Sequence, residues 1–389
     1  MIGTPSSPFA ASWLSALFSG WRYLVTGLAL VLLASCSGGA NQPKPAQLKP
    51  VVPVVAVQQI WTARLGTVSF PMTVSASGNN LIAAASDGVV AAIDARTGRD
   101  IWRLNLVTPL AAGVGSDGRM AAVVTLGNEL VVIVDGREIW REKLTAQAYT
   151  APFVAGGRIF VLTADRAVHA FDGNSGRKLW TQQRPTEPLV LRQAGVLLAV
   201  GDTLVAGLAG RIAGLNPANG SLRWEVPIAS PRGINDVERL VDLVGPVSRL
   251  NEVVCVRAFQ ASVGCVNADR GILQWTKPAD GSVGLDGDGR LVFAVESDGK
   301  VVSWKRADGE SGWSSDQLRY RGLTAPRVVG RSIAIGDASG FVHLLSREDG
   351  TLVNRLTTDG SAIVATPTLV GETLVVVTRA GTIFGFQPQ

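Results

Sequence analysis

A tryptophan recurs about every 40 residues along most of this chain of 389 residues. Successive members of the series stand between 38 and 51 residues apart, and most follow a short turn that contains glycine. The series comprises Trp61, Trp102, Trp140, Trp180, Trp224, Trp275 and Trp313. A large side chain at such a regular spacing indicates one supersecondary unit copied many times, which constrains the fold more than any other feature.

Each copy of the unit contains two turns with strand-like segments around them. The clearest version of the second turn, AIDARTGRDIW from Ala92 to Trp102, places aspartate and glycine where turn geometry favours them. Upstream of it, two apolar runs flank Ser86-Asp87-Gly88, a pattern typical of a β-hairpin. Each period therefore predicts three strands, and the run that ends at the tryptophan supplies a fourth.

The number of hairpin turns sets the number of units, and eight such turns can be counted. They lie at Ser86-Asp87-Gly88, Leu126-Gly127-Asn128, Ala164-Asp165-Arg166, Ala209-Gly210, Gln260-Ala261, Ser297-Asp298-Gly299, Ala338-Ser339-Gly340 and Arg379-Ala380-Gly381. Four short antiparallel strands in about 40 residues are typical of one propeller blade. We therefore predict an all-β fold, an eight-bladed β-propeller of four-stranded antiparallel blades.

Seven tryptophans serve eight predicted blades, and the chain ends account for the difference. Asn354 stands where the seventh copy should carry its tryptophan, and the chain ends at Gln389 before an eighth tryptophan strand. The missing strand is present at the other end, from Val55 to Trp61. We predict that this N-terminal strand completes the last blade and closes the ring, which removes exposed sheet edges.

The N-terminal segment predicts export of the chain. An apolar run from Tyr23 to Leu33 is followed by small residues, and a run this short is typical of a secretory signal rather than a membrane span. Its end, Leu33-Ala34-Ser35-Cys36, resembles the bacterial lipobox, which implies cleavage before Cys36 and acylation of that residue. The alternative is a simple cleaved signal with an incidental cysteine.

The chain therefore divides into three predicted parts. Residues 1–35 are a lipoprotein signal peptide, residues 36–54 are the lipidated cysteine and a flexible tether rich in Gly, Pro, Gln and Ala, and residues 55–389 are the propeller. Ser37 follows the cysteine, and the absence of aspartate there favours the outer membrane for a lipoprotein.

Two cysteines remain in the mature domain, Cys255 and Cys265, on the two arms of the hairpin around Gln260-Ala261. An exported domain can keep a disulfide. A two-residue turn would pair Phe259 with Ser262 and place the cysteines one step out of register, on opposite faces, whereas one bulged residue would bring them together. The sequence leaves both arrangements open.

Residue patterns for catalysis or metal binding are weak in this chain. The two histidines, His169 and His343, fall in apolar strand patterns of different blades, which indicates ordinary strand residues rather than metal ligands. The acidic pair Asp286/Asp288 is interpreted as solvated turn residues. No nucleophile elbow, phosphate loop or zinc motif occurs, and the scattered arginines predict no nucleic-acid binding. We expect no catalytic residue, no metal and no cofactor.

The tryptophans themselves allow two interpretations. Aromatic rings can stack on planar ligands, but rings at one end of every blade are better explained as packing between adjacent blades.

The motif Ala-x-Asp-x-x-Thr/Ser-Gly-x-x-x-Trp resembles the repeat of pyrroloquinoline-quinone (PQQ) dehydrogenases, which are eight-bladed propellers, although the adjacent cysteine pair of those enzymes is absent here. With the lipobox and tether added, nearly the whole chain resembles the BamB family, the propeller lipoproteins of the outer-membrane β-barrel assembly machinery. The resemblance implies a non-enzymatic scaffold, anchored on the periplasmic face of the outer membrane, that binds BamA and assists insertion of β-barrel proteins.

The resemblance also implies two docking loops for BamA. The family's Leu-x-Leu-Arg motif matches Leu189, Leu191 and Arg192, and the first acid of its acidic pair matches Asp242, whereas Val244 replaces the second. Asp242 belongs to an insertion between Trp224 and the strand at Val253, which we predict to be a loop on a binding face.

The chemistry of these residues supports docking independently of the family resemblance. Leu189 and Leu191 would face one side of an extended segment, with Arg192 as an electrostatic anchor for Asp242 or for an acid of the partner. The alternative is that Leu189 to Leu191 forms an inner blade strand.

Three other functions stay open from the sequence. One is a PQQ-dependent periplasmic dehydrogenase, and another is a periplasmic propeller that binds a sugar or peptide in a polar central channel. The mostly Ala, Val and Gly inner strands argue against such a channel. Unfolded outer-membrane proteins could also pair with exposed blade edges by β-augmentation.

Overall fold

The computed structural model of the chain describes residue 3 and residues 43–184, 189–231, 234–235 and 239–389. These described residues form thirty-two β-strands in eight antiparallel sheets of four strands each, and they contain no helix. The predicted eight-bladed propeller is therefore confirmed. In the described part of the chain, no helix is long and apolar enough to cross a membrane.

Seven blades are formed by four consecutive strands, from the innermost to the outermost. Blades 1 to 4 are β2(Ser75–Ser77), β3(Asn80–Ala84), β4(Val89–Asp94), β5(Asp100–Asn105); β6(Leu110–Ser116), β7(Met120–Thr125), β8(Glu129–Val134), β9(Arg137–Lys143); β10(Phe153–Ala155), β11(Arg158–Leu162), β12(Ala167–Asp172), β13(Lys178–Gln183); and β14(Leu197–Val200), β15(Thr203–Leu208), β16(Arg211–Leu215), β17(Leu222–Pro227). Blades 5 to 7 are β18(Leu243–Leu250), β19(Val253–Ala258), β20(Ser262–Asn267), β21(Ile272–Pro278); β22(Leu285–Gly287), β23(Leu291–Val295), β24(Val301–Lys305), β25(Ser311–Ser315); and β26(Arg327–Val329), β27(Ser332–Gly336), β28(Phe341–Ser346), β29(Leu352–Thr357).

Blade 8 combines the two ends of the chain, as predicted. Its strands β30(Thr368–Val370), β31(Thr373–Val377) and β32(Thr382–Pro388) are completed on the outside by β1(Val57–Arg64). Strand β1 runs antiparallel to β32, and Trp61 lies opposite Gly385. The N-terminal strand therefore closes the ring.

The core lies between the blades, and the strand sequences show why. Middle strands such as β7, MAAVVT, are buried at every position because a neighbouring blade covers each of their faces. The outermost strand β5, DIWRLN, alternates between exposed and half-buried residues because one of its faces meets solvent. Continuous apolar runs therefore mark the middle strands, and alternating runs mark the rim.

Each tryptophan of the series lies against a glycine of the following blade. The ring of Trp61 packs on Gly98, where a Cβ atom would come within 2.7 Å of it, and the φ of +71° at Gly98 is a conformation that favours glycine. The Nε1 of Trp61 donates a hydrogen bond to the carbonyl oxygen of Ala95 at 2.7 Å. The same ring-to-glycine contact joins Trp102 to Gly136, Trp140 to Gly176, Trp180 to Gly220, Trp224 to Gly271, Trp275 to Gly309 and Trp313 to Gly350.

Asn354 replaces tryptophan at the one junction that has no such glycine turn to receive a ring. The outer strand of blade 8 comes from the N-terminus, so no turn links it to β32. Instead, the side-chain nitrogen of Asn354 donates to the carbonyl oxygen of Val55 at 2.8 Å. The lost tryptophan is thus a consequence of how the ring closes.

In blade 5 the structure corrects one expectation and decides between two arrangements that the sequence left open. The predicted insertion is loop only over residues 228–242, because Leu243–Leu250 forms the innermost strand β18. The hairpin turn has three residues rather than two, since Ala258 pairs with Ser262 and the extra residue Gln260 takes a φ of +47°. This register places Cys255 opposite Cys265, and the two sulfur atoms are bonded in a disulfide.

Candidate docking face

The strand order divides the connections of every blade between two faces of the ring. Antiparallel strands reverse direction at each step, so the loops that join successive blades share a face with the turns between the second and third strands. We call this side the loop face. Its two longest interblade loops are residues 184–196, between blades 3 and 4, and residues 228–242, between blades 4 and 5.

A buried ion pair holds these two loops together. Arg166, in the turn between β11 and β12, places its Nη1 2.5 Å from Oδ1 of Asp242, and the two side chains are only 6% and 14% exposed. The other oxygen of Asp242 accepts a hydrogen bond from the backbone nitrogen of Leu191 at 2.8 Å. The Nη2 of Arg166 donates to the carbonyl oxygen of Leu189 at 2.7 Å. The pair therefore fixes the backbone of the segment that carries the Leu-x-Leu-Arg motif.

The predicted docking residues differ in how exposed their side chains are to solvent. Leu189 is 39% exposed, and Arg192 is exposed at the mouth of the central cavity. Leu191 is half-buried and lines a cavity of about 50 Å³ beneath the loop. Pro188, directly before the Leu-x-Leu-Arg motif, and Glu238, in the loop that carries Asp242, lie outside the described residues.

Two sequence interpretations of this region are wrong. Residues Leu189 to Leu191 do not form an inner strand, because β14 begins at Leu197. Arg192 does not pair with Asp242, because Arg166 and the nitrogen of Leu191 occupy both carboxylate oxygens. Asp242 therefore supports the loop from below, and Arg192 extends from its surface.

Arg166 is the functional residue that sequence reasoning missed. It has a φ of +59° at the turn position that Gly88 and Asn128 occupy in blades 1 and 2. An arginine is uncommon in that left-handed conformation. The signal in the sequence was a long basic side chain at a turn position that favours glycine. The contact with Asp242 explains why an arginine stands there.

Further exposed apolar side chains lie on the same face. Val107, in the loop before blade 2, is 84% exposed, and Leu126, in the second turn of blade 2, is 52% exposed. The two segments touch, since the nitrogen of Leu126 donates to the carbonyl oxygen of Pro109. Ile234, in loop 228–242, is 97% exposed. With Leu189, these residues place exposed apolar side chains in several loops and turns of this face.

The central channel encloses a cavity of about 1120 Å³. Most of its wall is apolar, with Val74, Val154 and Val364 among the lining residues. Asp286 also lines it, and the earlier interpretation of this residue as a solvated turn residue is wrong, because it lies in β22 and accepts a hydrogen bond from Val328 at 2.9 Å. Burial raises the pKa of Asp286 above its ordinary value.

The histidines lie in strands of two different blades. His169, in β12, is buried between the hydroxyl groups of Thr163 and Thr181, at 3.1 and 3.0 Å from its two ring nitrogens. Burial lowers the pKa of His169, and the charge of Lys178 adds to that effect. Among the described residues, no group of three or more His, Cys, Asp and Glu side chains could hold a metal ion. Cys36 lies outside the described residues, so its acylation stays a prediction.

Comparison with known proteins adds a family and a fold. The family model described as outer membrane protein assembly factor BamB matches residues 86–315. The BamB of Burkholderia pseudomallei is 36% identical over 366 residues, which cover 93% of this chain and 96% of that protein. The BamB of Bordetella pertussis is 34% identical over 372 residues, with 93% and 96% covered.

A solved structure shares the fold. The crystal structure of BamB from Moraxella catarrhalis has a TM-score of 0.78 and 24% identity, and the match covers 85% of this chain and 99% of that one.

Proposed function

Because this chain belongs to the family of the outer membrane protein assembly factor BamB, we propose that its loop face docks on BamA within the outer-membrane β-barrel assembly machinery. As a member of that family, the chain is a propeller scaffold for outer membrane protein assembly and not an enzyme. It assists insertion of β-barrel proteins from the periplasmic side of the outer membrane.

One observation carries this proposal, namely that the Arg166–Asp242 pair fixes the backbone of the segment bearing Leu189 and Arg192. A loop held in one conformation loses little freedom when a partner binds, so more of the contact energy remains as affinity. An exposed leucine beside an exposed arginine combines an apolar contact with a charge that can pair with a carboxylate of BamA. We assign Leu189 and Arg192 to direct contact, Leu191 to the apolar support beneath them, and Asp242 to positioning.

Co-purification from envelope extracts tests this assignment. We expect Leu189→Ala/Arg192→Ala to lose BamA, since contacts of this kind are worth about 2 kcal/mol or more each at the centre of an interface. The matched control is Leu250→Ala/Arg290→Ala, on the opposite face of the ring, because Leu250 is also 39% exposed and Arg290 is strongly exposed. Retention of BamA by the first variant at the level of the control would overturn the docking assignment.

We also propose that Cys36 carries the lipid anchor. Its sequence context, Leu-Ala-Ser-Cys after an apolar run, supports acylation of the new N-terminus after cleavage. A Cys36→Ser variant is expected to leave the outer-membrane fraction, because acyl chains supply most of the membrane affinity of such a protein. Mass spectrometry of the wild-type N-terminal peptide that found an unmodified cysteine would exclude the anchor.

A further inference from the structure

The segment that precedes the propeller lies along the outside of blade 7. We call residues 45–56 the leader. The backbone nitrogen of Ala46 donates to the carbonyl oxygen of Arg319, and the nitrogen of Val54 donates to the carbonyl oxygen of Val353, both at 2.9 Å. Arg319 lies in the loop before blade 7 and Val353 lies in β29, so the leader contacts both the loop and the outermost strand.

Only part of the leader's backbone can donate hydrogen bonds. Pro45, Pro50 and Pro53 have no backbone N–H, so they cannot donate in a ladder of hydrogen bonds with β29. Their neighbours still offer carbonyl oxygens as acceptors. Side-chain donors near blade 7 can therefore bind these oxygens.

Two arginines supply those donors. The Nη1 of Arg321 donates to the carbonyl oxygen of Ala46 at 3.0 Å, and the Nη1 of Arg355 donates to that of Lys49 at 3.1 Å. Between these two points, Leu48 packs against the apolar cluster that includes Phe293, Leu318 and Ile333. The contact of Leu48 thus has one charged donor on either side of it, in addition to the two backbone bonds and the bond from Asn354 to Val55.

A buried aspartate and histidine position both arginines. Oδ2 of Asp337, which is fully buried, accepts from Nε of Arg321 at 2.8 Å and from Nε2 of His343 at 2.9 Å. The other ring nitrogen of His343, Nδ1, faces Nε of Arg355 at 3.4 Å. With its proton on Nε2, a neutral His343 donates to Asp337 and accepts from Arg355, so one chain of contacts links the two arginines.

We propose that Arg321 and Arg355, positioned by Asp337 and His343, form a clamp for residues 45–55 that fixes where the N-terminal segment leaves the propeller. Ala46 bonds to Arg319, which lies in the interblade loop of residues 316–326, so the segment leaves from the loop face. The candidate docking loops and the exit of the anchor therefore share one face of the ring.

The clamp also sets the reach of the anchor, a consequence that rests on the proposed acylation of Cys36. Pro45 is nine residue steps along the chain from Cys36. A fully extended chain of that length spans at most about 30 Å. If the leader were released as far as Val57, the span would rise to about 70 Å. The clamp keeps the loop face close to the membrane on which the β-barrels are assembled.

Hydrogen exchange of the full-length protein, followed by mass spectrometry of peptides covering residues 43–56, tests the clamp. In the wild type, we expect protection of the amides of Ala46 and Val54. Because each lost bond involves a charged donor, Arg321→Ala/Arg355→Ala should speed exchange in these peptides by about tenfold or more. Peptides of blade 1 should stay unchanged. Arg290→Ala is the matched control, because this arginine pairs with Glu348 at the surface and not with the leader.

Each result of the exchange experiment either supports or refutes the clamp. Unprotected leader amides in the wild type, or protection that survives the double variant, would refute the clamp. If the double variant does not fold, Arg355→Lys tests the same point, since lysine keeps the charge but loses the planar fork that reaches both His343 and Lys49. None of these readouts depends on BamA or on acylation, so failure of the clamp and failure of the proposed function are distinguishable.

Discussion

Two buried arginine–aspartate pairs on the loop face hold irregular segments by the same device. Arg166 and Asp242 bind the backbone of loop 184–196 at blades 3 and 4, and Arg321 and Asp337 hold the leader at blade 7. In each pair the arginine donates to a carbonyl oxygen of a segment that has no regular strand partner. A segment of this kind does not pair along its whole length with a regular strand. Side-chain donors therefore bind some of its carbonyl oxygens.

The two pairs differ in what else they contact. The carboxylate of Asp242 touches the segment itself through the nitrogen of Leu191, whereas the carboxylate of Asp337 binds His343 and the nitrogens of its own turn. Among the described residues, no histidine bonds to Asp242. The first pair therefore makes a fixed support, whereas the second includes a histidine, whose ring can change its charge.

The largest expected effect comes from breaking the first pair. Asp242→Ala leaves Arg166 buried without its carboxylate, and removing one partner of a buried pair costs about 3 kcal/mol of unfolding free energy. Denaturant titration measures the loss, and binding of BamA should fall with it because loop 184–196 is no longer fixed. An apolar replacement of both partners, Arg166→Met/Asp242→Leu, should recover most of the stability but not the binding. Equal stability of Asp242→Ala and wild type would show that the pair does not support the fold.

A smaller effect, confined to the second pair, is expected from acid. Burial lowers the pKa of His343 below its ordinary value of 6.5, although the hydrogen bond with Asp337 acts in the opposite direction. As the pH falls, the unfolded chain therefore takes up this proton before the folded one does. The stabilisation is complete above 6.5 and declines as the pH falls from there through the folded pKa.

Asp337 contributes in a separate and more acidic range. Burial alone would raise its pKa, but the hydrogen bond from His343 and others leave it below 3.8, so its stabilisation is lost only as the pH falls below that value.

Variants of the two histidines test whether His343 causes the loss of stability in acid. Stability should fall as the pH drops from about 6.5, the ordinary pKa of histidine, through the lower pKa of the folded state. In His343→Gln, whose amide nitrogen can still donate to Asp337, the fall should be smaller. His169→Gln is the matched control, because burial also lowers the pKa of His169 but this residue lies in blade 3, away from the leader. If the stability of His343→Gln depended on pH as that of the wild type does, the result would contradict a role for His343 in the clamp.

The repeat architecture was predictable because its determinants are local. Turn residues, alternating apolar runs and the spacing from Trp61 to Trp313 repeat often enough to reveal the blade, and the unmatched strand before Trp61 reveals how the ring closes. The register of the Cys255 hairpin was not predictable in the same way. It depends on Gln260 adopting a positive φ, and nothing in a glutamine indicates that.

The long-range pairs were beyond reach of sequence patterns for a different reason. Arg166 and Asp242 are 76 residues apart, and Arg321 is 275 residues from Ala46. Such contacts depend on which loops the ring brings together, whereas turn and strand patterns report only on neighbours along the chain. The sequence motif therefore singled out Asp242 but could not show that its partner is Arg166.

The affinity of the purified full-length protein for the periplasmic domains of BamA tests the central claim most directly. The claim predicts that Leu189→Ala/Arg192→Ala weakens binding by about a thousandfold, as expected for the loss of two central contacts worth about 2 kcal/mol each. Leu250→Ala/Arg290→Ala, on the opposite face, should bind as tightly as the wild type. Equal affinities for the two variants would contradict the assignment of the loop face as the docking surface.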